Sequence, residues 1–163
     1  MNNIHESAEV HPSVSVPEST KVWNYAQIRE NVVIGQNCII GRNVYIGPGV
    51  VIGDNCKIQN NALIYEPAII ESGVFIGPAV VLTNDKRPRA INLDGSIKSA
   101  ADWDPVGVTI RHGASIGANS VCVAPVEIAE WTAVGANSVV TKNTEARQMV
   151  VGNPAKSIGE ARY

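Results

Sequence analysis

Stepping by six residues from the start of the chain meets Ile4, Val10, Val16, Val22, Ile28, Ile34, Ile40, Ile46, Ile52, Ile58, Ile64, Ile70, Ile76 and Leu82. All fourteen are aliphatic. Four residues after each of the first thirteen stands a small or β-branched side chain, Cys38 and Cys56 among them. In a chain that is 45% hydrophobic, chance does not produce such a run. The period resumes at Ile110, Ile116, Cys122, Ile128, Val134 and Val140. Leu82 and Ile110 lie 28 positions apart, which is no multiple of six, so the stretch between them is an insertion.

A helix turning every 3.6 residues cannot present a period of six on one face. A strand of three or four residues followed by a tight turn can. Composition agrees: 22 Val and 18 Ile stand against 3 Leu, and β-branched side chains favour pleated surfaces. Gly35, Gly41, Gly47, Gly53, Gly77, Gly117 and Gly135 each follow the aliphatic position directly. Asn37, Asn43, Asn55, Asn119 and Asn137 come two residues later and suit corners with positive φ. No single unit can bury its own aliphatic side chain, whereas coils stacked about 4.8 Å apart bury them all in columns. The expectation is one all-β domain, 1–163. It has solenoid coils over 4–82 and 110–145, an inserted loop at 83–107 and a short tail at 146–163 with at most one short helix.

Thirteen Lys+Arg against fifteen Asp+Glu leave no basic surplus for a run of phosphates, so a nucleic-acid partner is not expected. No stretch approaches 18 apolar residues and no leader-like start is present, which reads as a cytoplasmic protein away from membranes. Cys38, Cys56 and Cys122 all fall on inward positions and are expected to be core thiols.

The tandem Ile/Val/Leu-Gly units resemble the hexapeptide-repeat acyltransferases. The resemblance implies a left-handed parallel β-helix with triangular coils, three units to a coil. It also implies an acetyl-CoA donor, a homotrimer with active sites between subunits, and no metal. Within that superfamily, several segments resemble enzymes that N-acetylate nucleotide-linked 3-amino sugars. They include Lys21-Val22-Trp23, Asn43-Val44-Tyr45-Ile46-Gly47-Pro48, Tyr65-Glu66, Thr83-Asn84-Asp85, Arg87-Pro88-Arg89 and Val151-Gly152-Asn153-Pro154-Ala155-Lys156. Trp23-Asn24-Tyr25-Ala26-Gln27 lacks two histidines usual in that group, which leaves the acceptor sugar open.

Acyl transfer from a thioester to an amine needs an oriented, deprotonated amine and a donor aimed at the oxyanion. The resemblance assigns Asn84 to the acceptor, and the imidazole of His112 suits a base near neutral pH. Arg29, Glu30, Asn61, Tyr65, Glu66, Asp85, Arg87 and Arg89 are candidate acceptor-binding residues. Tyr65 and Glu66 interrupt the glycine turns, and the arginines suit bidentate grips on phosphate or carboxylate. Backbone amides near Ala114, Ser115, Ala133 and Val134 are candidates for the pantetheine arm. Lys142, Arg147 and Lys156 supply charge for its phosphates, with Asn153 and Pro154 at the adenine end. The competing readings are a same-fold enzyme with another amine or hydroxyl acceptor, and a non-catalytic scaffold. His5, His11 and His112 are badly spaced for a zinc site.

Overall fold

The computed structural model describes residues 3–162; Tyr163, the end of the expected tail, lies outside them. The chain winds as a left-handed parallel β-helix of triangular coils. Its strands in order are β1 (Glu9–Val10), β2 (Lys21–Val22), β3 (Gln27–Ile28), β4 (Val33–Ile34), β5 (Ile39–Ile40) and β6 (Tyr45–Ile46). Next come β7 (Val51–Ile52), β8 (Lys57–Ile58), β9 (Leu63–Ile64), β10 (Ile69–Ile70), β11 (Phe75–Ile76) and β12 (Val81–Leu82). After the insertion follow β13 (Thr109–Ile110), β14 (Ser115–Ile116), β15 (Val121–Cys122), β16 (Glu127–Ile128), β17 (Ala133–Val134) and β18 (Val139–Val140). Two longer strands close the chain, β19 (Gln148–Gly152) and β20 (Ala155–Glu160).

Three faces result. Face A stacks β2-β5-β8-β11-β14-β17-β19-β20, face B β1-β3-β6-β9-β12-β15-β18, and face C β4-β7-β10-β13-β16. Each short strand turns one residue out and one in. The inward residues pair only with inward residues, as in Ile40↔Ile58 on face A and Ile46↔Ile64 on face B. The columns of Ile28 to Leu82 and Ile110 to Ile128 are almost wholly buried. At about 2 kcal/mol for each buried aliphatic side chain, this one interior supplies the main stabilisation of the fold.

Corners carry the second regularity. Tyr25, Asn43, Asn61, Ala79, Asn119 and Asn137 occupy successive turns between faces A and B, all with φ between 56° and 62°. Asparagine side chains climb this edge, with Asn43 Nδ2 donating to Asn61 Oδ1 at 3.0 Å and Asn119 Nδ2 to Asn137 Oδ1 at 3.0 Å. Inside, small polar side chains answer corner carbonyls that the ladder leaves over. Thr20 Oγ1 donates to the Gly35 carbonyl, Ser120 Oγ to Gly135, and the Cys38 and Cys56 thiols to Gly53 and Glu71. All three cysteines are free and buried, and burial pushes the Cys122 thiol up to about 12.

Three details differ from the sequence reading or refine it. Val16 forms no strand, because Pro17 lacks the N–H that Gly35 donates to the next coil at the corresponding point. The insertion is joined at its base, where Val106 N–H donates to the Asn84 carbonyl, and holds one 3₁₀ turn at Ala100–Asp102. Among its described residues the tail holds no helix. β19 pairs parallel with β17, placing Val150 over Val134, and β20 folds back antiparallel on β19. Val150 continues the buried column beyond the six-residue spacing, and that burial draws the segment into a strand.

Candidate functional site

The candidate residues divide between two corners of the prism. Each strand of face B runs into the B–C corner, where Tyr65 N–H donates to the Leu82 carbonyl and Thr83 N–H to the Cys122 carbonyl. This stacks Arg29 and Tyr65 at the first corner position, and Glu30, Glu66, Asn84 and Lys142 at the second. Half of the acceptor set read from sequence, Arg29, Glu30, Tyr65 and Glu66, thus meets Asn84 on one edge, all half-buried, with the exposed Lys142 beside them.

Arg29 grips Glu30 with two bonds, Nε to Oε2 at 2.9 Å and Nη2 to Oε1 at 3.1 Å. That contact raises the Arg29 guanidinium above its usual value. Glu30 lies below the usual carboxylate range, chiefly because its own backbone amide donates to it and then because of Arg29. The Tyr45 and Tyr65 rings sit 5.3 Å apart at 49°. Burial raises the Tyr45 phenol, and the charge of Glu66 raises it further. Glu66 Oε2 is closed off from solvent and meets no hydrogen-bond donor among the described residues. A Cβ at Gly47 would collide with that carboxylate, so the glycine makes its seat.

Asn84 and Asp85 have parted roles. Asp85 Oδ1 accepts the Arg87 amide at 2.7 Å and so caps the loop. The Asn84 side chain makes no hydrogen bond among the described residues, while its backbone anchors the base of the insertion. Arg87 and Arg89 lie exposed on the loop, Arg89 Nη1 donating to the Pro88 carbonyl at 2.9 Å. Asn61 stands on the A–B corner, where its φ of 62° and its bond from Asn43 serve the turn.

His112 stands elsewhere, exposed on the C–A corner. Its backbone N–H donates to Glu71 Oε2 at 2.8 Å, and Arg111 bridges Glu71 at 2.8 Å and Glu127 at 2.6 Å. The Arg111 guanidinium holds Glu71 below the usual carboxylate range, helped by the His112 amide. The imidazole meets Trp131 edge to face at 5.5 Å. Trp131 has φ 55° at the point where earlier coils carry Asn37, Asn55, Gly73 and Gly113. Its indole lies on Gly113, where a Cβ would come within 2.7 Å of the ring. A bulky residue in this backbone region is rare and marks a place worth inspecting. Sequence reasoning missed Glu71, Arg111 and Trp131. The tryptophan was the available signal, since it breaks the Asn/Gly rule of the repeat. A hollow of about 400 Å³ opens beside His112, lined by Val51, Gly53, Ile69, Glu71 and Ser72. A larger one, about 650 Å³, lies against Met149 and Ile158–Arg162 at the C-terminal end of the prism.

The donor residues are spread more widely. Arg147, φ 62°, ends the C–A corner, Lys142 lies on the B–C corner, and Lys156 is exposed on β20. Asn153 and Pro154 form the turn between β19 and β20. The amides expected to meet the pantetheine arm are committed. Ala114 N–H donates to the Arg111 carbonyl, Ser115 N–H to Thr132, and β17 with Ala133 and Val134 is paired on both sides. A stacked coil has free edges only at its ends, so contact here falls to the outward side chains of Ser115 and Ala133. Among the described residues no group of three or more His, Cys, Asp or Glu side chains is arranged to hold a metal ion. No helix among them is long and apolar enough to cross a membrane.

With this geometry the chain belongs to the hexapeptide-repeat transferases. The bacterial transferase hexapeptide family of six repeats matches residues 13–48 and 49–84, and the hexapeptide repeat of succinyl-transferase matches 31–66 and 106–142. The chain is 36% identical over 86 residues to the bifunctional protein GlmU of Saccharophagus degradans, covering 53% of this chain and 16% of that protein. It is 50% identical over 50 residues to dTDP-3-amino-3,6-dideoxy-alpha-D-galactopyranose 3-N-acetyltransferase of Aneurinibacillus thermoaerophilus, covering 31% of this chain and 26% of that one. The chain therefore spans well under half the length of these curated relatives. Its fold matches the acetyltransferase domain of PglB from Neisseria gonorrhoeae in complex with acetyl coenzyme A. The TM-score there is 0.65 at 18% identity, over 95% of this chain and 56% of that one.

Proposed function

We propose that this protein transfers an acyl group, acetyl in the first instance, from coenzyme A to the amino group of a nucleotide-linked amino sugar. The carrying observation is the division of the site. Asn84 lies with Arg29, Glu30, Tyr65 and Glu66 on the B–C corner, His112 and Trp131 on the C–A corner. Two corners of one prism face apart, whereas a corner of one copy and the other corner of a neighbour can face each other across a cleft. A homotrimer closes three such clefts by rotation.

In that cleft Asn84 orients the acceptor nitrogen, with a side chain committed to nothing else. His112, held by Glu71 through its backbone and by Trp131 through its ring, takes the proton that the attacking nitrogen sheds. Nitrogen bonds to the thioester carbonyl carbon, the carbon–sulfur bond breaks, and His112 passes the proton it took on to the leaving thiolate. No protein nucleophile enters, in keeping with three buried thiols. Lys142 and Arg147, on opposite corners of one prism, approach each other between two copies and hold the donor's phosphates. Arg87 and Arg89 reach the nucleotide diphosphate from the loop. Both substrates are cytoplasmic metabolites, and this reading places the reaction there. The relatives named for a nucleotide-linked 3-amino sugar and for acetyl coenzyme A support it.

The test is acetyl-CoA with a panel of nucleotide-linked 3-amino and 4-amino sugars, reading free thiol. Thiol release with at least one sugar is expected; release with none favours a different acceptor or a scaffold.

A further inference from the structure

We propose that Glu66 is the residue by which this site selects an amine, rather than a hydroxyl, as acyl acceptor. The inference rests on the acyl-transfer reading and adds to it the feature that sets its substrate class.

Buried polar groups elsewhere in the molecule are met. Thr20, Ser120, Thr132 and Ser138 all make hydrogen bonds inside the prism. Among the described residues Glu66 Oε2 is the one buried side-chain nitrogen or oxygen that meets no partner. A carboxylate oxygen shut away from water with no donor is disfavoured, and such an atom calls for an explanation. Packing, not hydrogen bonding, holds it there. The absent side chain at Gly47 leaves the space it fills, and a Cβ at that position would displace it.

The cation closest in the repeat does not neutralise it. Arg29 turns both its Nε and its Nη2 to Glu30. Tyr65 flanks Glu66 in sequence, and its ring packs on Tyr45. Asn84 follows one coil on, its side chain likewise uncommitted. The rest of the Glu66 side chain is part-exposed on the corner, and an acceptor-only carboxylate there, one coil from an amide, asks for a ligand group that brings positive charge and several N–H donors. An amino group on a sugar ring does so as it arrives protonated, releasing that first proton to water before the neutral amine attacks, and a hydroxyl brings one donor and no charge.

The experiment compares two nucleotide-linked sugars that differ only in carrying an amino or a hydroxyl group at the acylated carbon. Binding to the full-length protein is measured calorimetrically with coenzyme A present, for wild type, Glu66→Gln and Glu66→Ala. Wild type should prefer the amino sugar by about tenfold or more, the range of a hydrogen bond to a charged group. Both variants should bring the ratio near one, with coenzyme A affinity unchanged. Their melting temperatures should equal or exceed that of wild type, because an unmet carboxylate contributes nothing to stability. A carboxylate that serves the fold alone would show the reverse, a lower melting temperature and an intact ratio, and would overturn the proposal. Turnover of an amino sugar with the ratio intact in Glu66→Gln removes Glu66 and leaves the acyl-transfer reading standing. Wild type that neither binds nor turns over any amino sugar removes both.

Discussion

At the scale of single residues, the repeat makes exceptions as informative as the rule. The A–B corner carries asparagine wherever the repeat is regular, and the side chain earns its place twice: it tolerates a φ near 60° and it bonds to the next asparagine. Ala79 does neither, with φ 56° between Asn61 and Asn119. Ala79→Asn should stabilise the protein by about 1 kcal/mol, from relief of a left-handed alanine and a completed side-chain ladder. Urea unfolding checks this; an unchanged midpoint would mean that the corner carries no strain. The buried columns, the corner asparagines and the core cysteines were legible in the sequence because each depends on spacing alone. Glu71 was not, because its partners stand 40 and 41 positions away in sequence, and Trp131 showed only as a break in the Asn/Gly rule, its contact with His112 forming after winding.

Elements show where local pattern stops deciding structure. Two-residue strands need no propensity beyond their β-branched residues, so the six-residue period located them. The C-terminal segment lost that period, and its strands form because β17 offers an open edge and Val150 a buried seat. The corner strap built from Glu71, Arg111 and Glu127 joins three successive coils of face C and carries its own pH signature. Glu71 is held below its ordinary value by the Arg111 hydrogen bond, and then by the His112 amide. Its contribution is therefore complete above the ordinary carboxylate range and is lost as pH falls through the lower, folded-state value. Arg111 and Glu71 keep 39% and 34% of their side-chain surface in water, so screening limits the effect to less than about 1 kcal/mol. In thermal melts from pH 7 down to pH 3, wild type should lose more stability than Glu71→Gln on the acid side; parallel curves would show that the strap holds no charge-dependent stability.

For the whole molecule, the question is whether one prism is a complete enzyme. Asn84 and His112 lie on different corners of the same coils, so the proposed site needs one residue from each of two copies. Chains carrying Asn84→Ala and chains carrying His112→Ala should each be nearly inactive alone. Co-expressed and assembled at random, they form clefts in which an intact B–C corner faces an intact C–A corner with a frequency of about one in four, so about a quarter of wild-type turnover should return. Separately purified variants mixed without subunit exchange should stay inactive, which controls for assembly. A site contained in one chain predicts no recovery under either condition, because every chain then keeps one damaged residue beside its intact partner. The proposed assembly is not read from spacing within the chain: six-residue units dictate how a coil stacks on the next, whereas the homotrimer is an expectation from the family resemblance, supported by the distribution of unlike residues over the corners.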